Sequence, residues 1–163
     1  MSTYKHILFW AIFTSTFHSS ARVDPMDWER IRSAYPVAVE NKALCAVMIE
    51  ELSEQQGLSM TEPSLQIAYR GGFQTIWANH VFNPVAKLRT FNQGKSNIEK
   101  AVLMDPNSPE IRYIRLSVQQ HAPGFLGYKD AIAEDVEFLR KHRGRITSEV
   151  VQQHITRLLG GEV

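Results

Sequence analysis

The chain has 163 residues, 44% of them apolar and 21% charged, with a formal net charge of +1, which is enough for one hydrophobic core that needs no metal or disulfide to hold it. That balance excludes an acidic disordered chain and a strongly basic nucleic-acid binder. A single cysteine, Cys45, excludes an intramolecular disulfide framework.

In chain order, Lys5 precedes an apolar run, Ile7 to Phe13, that thins through Thr14 to Phe17 into Ser19-Ser20-Ala21. A positive start, a short apolar stretch and small residues at the end are the layout of a cleavable secretory signal. Ser19 and Ala21 fall at the third and first positions before the cut. We therefore expect a leader over residues 1–21 and a mature domain over 22–163 beginning at Arg22, with 17 basic and 17 acidic side chains. The apolar stretch Ile7 to Phe17 is too short for a permanent bilayer-spanning helix.

The rest reads as helices. Asp24-Pro25-Met26-Asp27 opens a short helix through Trp28, Ile31 and Tyr35 that Pro36 is expected to interrupt. From Val37 to about Gln56, Leu44, Met48 and Leu52 form a stripe with Cys45 and Ile49 beside it, Glu50, Glu51 and Glu54 face outward, and Gly57 is the expected C-cap. Thr61-Glu62-Pro63 starts a long helix with Leu65, Ala68, Tyr69, Gly72 and Ile76 inward. Asn83-Pro84 opens another, in which Val85, Leu88, Phe91, Ile98 and Val102 recur until Asp105-Pro106. Ser108-Pro109-Glu110 repeats the device for a helix bearing Ile111, Ile114 and Val118, ended by Ala122-Pro123-Gly124. Tyr128 begins the next, with Ile132, Val136 and Leu139 inward, Asp130, Glu134, Asp135 and Glu137 in its first half, and Arg140, Lys141 and Arg143 at its end, as the helix dipole favours. Ser148 caps the last, which carries Val151, Ile155 and Leu158. The expectation is an all-α fold of antiparallel helix pairs, either a short solenoid or an irregular bundle.

The stretch Ile98-Glu99-Lys100-Ala101-Val102-Leu103-Met104-Asp105-Pro106-Asn107-Ser108-Pro109-Glu110 resembles the end of the second helix of a tetratricopeptide repeat, its closing turn and the start of the next repeat. The resemblance implies that Ala101 is the small residue where two helices approach and that Pro106 ends the pair, with Tyr69 and Gly72 packing in the first helix. The whole chain is more loosely similar to small exported bacterial proteins with repeat-like helices. That likeness supplies no activity; the leader points to export, to the periplasm or cell envelope.

Motifs of catalysis are missing. There is no pair of histidines flanking a glutamate turn, no close cysteine pair, no glycine-rich phosphate loop and no nucleophile elbow, so no metal, cofactor or catalytic residue is assigned. Cys45, in an apolar helical run, reads as a buried thiol. Gly71-Gly72 inside a helix costs roughly 1 to 2 kcal/mol of helix propensity, which close packing against a neighbouring helix would offset.

Two surface features point to a partner. Phe125 and Leu126 sit between Gly124 and Gly127, where they either fold over the helix ends or project as an anchor, and Tyr128 could extend the same apolar surface. Charge is also uneven: residues 22–62 carry 4 basic and 8 acidic groups, residues 63–129 carry 8 and 3. Arg70, Lys87, Arg89, Lys95 and Lys100 could meet an acidic peptide, or the acidic first section of a second copy or of the same chain. The leading expectation is an exported noncatalytic interaction or scaffold protein that binds protein or peptide through Phe125, Leu126, Tyr128, Arg70, Lys87 and Arg89. The alternative is a small-ligand binder or enzyme whose groups converge between helices around Arg70, Asn79, His80, Arg112 and His121.

Overall fold

The computed structural model describes residues 26–54 and 63–160. The leader over 1–21, the cap at Asp24-Pro25, the C-cap at Gly57 and the start at Thr61-Glu62 lie outside them. Among the described residues the chain forms seven α-helices: α1 (Trp28–Val37), α2 (Lys42–Glu54), α3 (Ser64–Asn79), α4 (Pro84–Met104), α5 (Pro109–His121), α6 (Ile132–His142) and α7 (Glu149–Leu158). None of them is long and apolar enough to cross a membrane.

Most boundaries follow local chemistry. The Asn83 side chain accepts from the N–H groups of Val85 and Ala86, both at 3.0 Å, and Asp27 caps α1 by accepting from the Arg30 N–H. Asn41 does the same for Leu44 at 2.9 Å, so α2 begins at Lys42 rather than at Val37. Pro36 lies inside the last turn of α1 instead of ending it, because a proline there forfeits a single hydrogen bond just before the helix stops at Val37. Ser148 precedes α7, yet its hydroxyl makes no cap bond; it donates instead to Glu29 Oε2 of α1 at 3.1 Å.

The bundle is built around α3, whose residues 66–76 are buried without a break. On one side Gln66 donates to the Leu52 carbonyl of α2 at 2.9 Å. On another side Gly71 meets Gly94 of α4, where a Cβ added to either glycine would stand 2.6 Å from the other's carbonyl oxygen. Gly72 lies under the Tyr35 ring of α1, 2.7 Å from where its own Cβ would be. The paired glycines are therefore explained by close packing, as expected. Tyr35 in turn stands edge-on to Tyr69, Phe73 and Tyr113, with centroids 5.6, 5.3 and 6.2 Å away, an arrangement that favours aromatic quadrupoles.

The glycine contact also sets which way α4 turns. Phe91, Gly94, Ile98, Ala101 and Val102 face inward, so Val85, expected on that face, is 78% exposed and Leu88 lies at the surface too. Gly94 lets the two backbones approach, Ala101 is buried on the same side, and the larger apolar residues at 85 and 88 are left outside.

Packing is not serial. Each unit of a solenoid touches only its neighbours, whereas here α7 returns to α1 and α5, and α3 contacts α1, α2, α4 and α5. The fold is thus an irregular all-α bundle. Tyr128, expected to begin a helix, lies in the loop before α6, which starts only at Ile132.

Candidate functional site

The segment that joins α5 to α6 is the feature of most interest. Pro123 leads into one 3₁₀ turn, Gly124–Leu126, closed by a Gly127 N–H to Gly124 O bond of 3.1 Å, with Gly127 at φ 57°, which a residue bearing a Cβ rarely adopts. Leu126 packs against the core and Tyr128 is buried. The Tyr128 hydroxyl donates to Glu99 Oε1 at 2.6 Å, its ring meets the Phe91 ring edge-on at 6.2 Å, and Lys95 Nζ lies 4.8 Å from the ring centroid. Burial, then the Glu99 hydrogen bond, pushes the Tyr128 hydroxyl well above the usual phenol range, so it stays a donor. Between these anchors Phe125 is 86% exposed. The turn therefore holds an aromatic ring out in water, and Lys87 and Lys95 share the side of α4 that carries Phe91, which Tyr128 meets.

Behind the turn lies a buried charge cluster. Arg115 grips Asp135 with two hydrogen bonds, Nε to Oδ2 at 2.7 Å and Nη2 to Oδ1 at 2.6 Å, and its Nη1 reaches Glu99 at 3.4 Å. Arg112 donates to Asp135 Oδ1 at 2.9 Å, to Glu134 at 2.6 Å and to the Pro106 carbonyl at 3.1 Å. Asp135 is fully buried, and two guanidinium groups from α5 supply the partners that make its burial tolerable. The Arg112 hydrogen bond, against a small desolvation effect, holds the exposed Glu134 below the usual carboxylate range.

A second network ties α1, α3 and α5. Arg32 holds Glu110 through Nε at 2.8 Å and Nη2 at 2.9 Å, and the Tyr69 hydroxyl donates to Glu110 Oε1 at 2.8 Å. The Glu110 hydrogen bond, opposed by burial, raises the Arg32 guanidinium pKa further, so Arg32 stays charged. The Cys45 thiol donates to the Phe73 carbonyl at 3.3 Å and burial pushes its pKa up to about 12, which makes it inert.

The structure distributes the sequence-derived candidates unevenly. Phe125, Lys87 and Arg89 are exposed, Leu126 is half-buried, and Tyr128 and Arg70 are buried. Lys87 and Arg89 stand on different sides of α4, since residues two apart do not share a helix face. Of the alternative set, His80 Nε2 is 3.1 Å from the Ala38 carbonyl, His121 Nδ1 is 2.7 Å from its own helix's Ser117 carbonyl, Arg112 is engaged by α6, and Asn79 is exposed. Two open hollows of about 600 and 570 Å³, one lined by residues of Pro36 to Lys42 and the other by Glu149 to Arg157, include none of that set. Among the described residues no three His, Cys, Asp or Glu side chains are grouped to hold a metal ion. The convergence that sequence reasoning missed is Glu99, Arg115, Tyr128 and Asp135; its only signal was a basic pair, Arg112 and Arg115, at helical spacing among the buried apolar residues of α5.

Comparison with family models, with curated proteins and with solved structures finds no match to this chain.

Proposed function

We propose that this chain is a noncatalytic helical interaction module, exported by its 1–21 leader to the cell envelope, that docks an acidic protein segment on the Phe125 turn. One observation carries the reading: Phe125 is held in solvent while the residues after it are pinned to the core. An exposed aromatic on a preorganised turn loses little conformational entropy on binding, and a few such residues usually supply most of an interface's energy. Lys87 and Lys95 would steer an acidic partner without contributing most of the affinity. The Ile98–Glu110 hairpin, with Ala101 buried and α4 ending just before Asp105-Pro106, is the part of the chain that supports a repeat-like origin.

The test is a photo-activated amino acid placed at position 125 in cells of the native host, with Glu149 on the surface of α7 as the control position. The reading predicts a cross-linked protein at 125 and not at 149, joined through an acidic segment. Adducts at 149 with none at 125 would count against it.

A second reading, a small-ligand site between helices, is supported by the convergence of Glu99, Arg112, Arg115 and Asp135 among α4, α5 and α6, and by the nearly buried Gln119, whose Oε1 accepts no hydrogen bond. These charges already satisfy one another, so a ligand would have to open the cluster. Thermal-shift screening against small carboxylates and amines separates the readings: a concentration-dependent rise in Tm abolished by Arg115→Met favours the ligand site.

A further inference from the structure

Two outward stripes of opposite character flank the central helix. On α4, Val85, Leu88, Asn92, Ser96 and Leu103 recur on one side, bordered by Arg89 and Lys100, and all seven are exposed. The only acid of α4, Glu99, is occupied by Arg115 and Tyr128. On α2, Ala43, Val47, Glu50 and Glu54 form a stripe at the same helical spacing, also exposed, and the neighbouring Glu51 is taken by Arg30. The stripes do not meet within one molecule. Gln66 of α3 reaches α2, whereas Gly71, well round the α3 surface from it, meets α4.

Both stripes carry exposed apolar residues, and their charges are opposite. The α4 stripe offers apolar area, with Val85 78% and Leu103 83% exposed, and two cations without a competing surface acid. The α2 stripe offers Val47 and two carboxylates, and at 1.5 Å per residue its length of about 17 Å fits within the roughly 27 Å of the α4 stripe. We propose that the α2 stripe of one copy docks on the α4 stripe of a second copy, apolar residues together and Glu50 and Glu54 toward Arg89 and Lys100. The occupant of the α4 face is thus a second copy of this chain. Because the two surfaces differ, the contact is heterologous, and each docked copy leaves one stripe of each kind free. Association therefore continues past a pair, into a ring or an open row. The contact is independent of the Phe125 turn, which neither stripe contains.

Sedimentation of the full chain from micromolar to submillimolar concentration tests this. The mass should rise with concentration beyond that of a dimer and fall back as salt is added. Two charge reversals, Glu50→Lys with Glu54→Lys and Arg89→Glu with Lys100→Glu, should each weaken association at least tenfold while the circular-dichroism spectrum is kept. An equimolar mixture of the two variants should associate again, because every contact between unlike chains is then complementary. A wild-type chain that stays monomeric throughout overturns the proposal, as does a mixture that fails to associate. A monomer that instead sediments with vesicles of anionic phospholipid would reassign the α4 stripe to a lipid surface and overturn it equally.

Discussion

Gly71 of α3 and Gly94 of α4 stand so close that a Cβ on either would lie 2.6 Å from the carbonyl oxygen of the other. The obstacle is backbone on both sides, which cannot swing away as a flexible side chain can. Gly94→Ala would gain about 1 kcal/mol of helix propensity, yet overpacking a helix crossing costs about 1 to 3 kcal/mol or more. We expect a net loss, read as a lower urea midpoint at unchanged slope. A midpoint at or above wild type would mean that the crossing is looser than described. Ala101→Leu, at a fully buried position two turns further along the same face, should also destabilise by about 1 to 3 kcal/mol.

Asp135 supplies a sharper contrast. Asp135→Ala leaves Arg115 and Arg112 buried without their shared carboxylate, and breaking such a pair costs about 3 to 5 kcal/mol. Glu134→Gln removes a neighbouring carboxylate that is 62% exposed and should cost no more than about 1 kcal/mol. Unfolding curves of the two variants side by side check the difference; similar losses would contradict a buried cluster.

These two cases mark how far the sequence could be read. Helix starts at Pro84 and Pro109 were legible because a capping side chain and a proline act within a few residues. The inward face of α4 was legible in part: Phe91, Ile98 and Val102 face inward as expected, whereas Val85 and Leu88 do not. Apolar periodicity favours Val85 and Leu88, but the backbone approach at Gly94 decides the rotation, and a glycine leaves no mark in a hydrophobic pattern. The burial of Asp135 was not legible for a related reason, since its partners come from α5, 20 and 23 residues away. The stretch from Gly124 to Gly127 was legible as a glycine-flanked loop, although Tyr128 was expected to open a helix, and which of Phe125 and Leu126 projects depended on tertiary packing.

His154 gives a pH dependence. Burial, and then the Arg157 charge, lowers its pKa from 6.5 in the fold, where the Tyr113 hydroxyl lies 3.2 Å from its Nδ1. Below pH 6.5 the unfolded chain therefore takes up a proton that the folded chain refuses. The stabilisation is complete above the unfolded value and is lost as the pH falls from about 6.5 through the folded pKa. Replacing His154 with glutamine should flatten the stability profile between pH 6.5 and 5; an unchanged slope would assign it to other groups.

Export is read by intact mass. The chain recovered from its native host should begin at Arg22, with residues 1–21 gone, and Met1 or Ser2 on the dominant species would contradict the leader.

The role of Phe125 is tested most directly by measuring, on the same samples, affinity for the partner captured at position 125 and the unfolding curve. Phe125→Ala should weaken binding at least about tenfold, or roughly 1.4 kcal/mol, while the unfolding midpoint stays within about 0.5 kcal/mol of wild type, as for an exposed side chain. Leu126→Ala, at a residue packed against the core, should instead lower stability. Unchanged affinity in a stable Phe125→Ala variant would contradict the account.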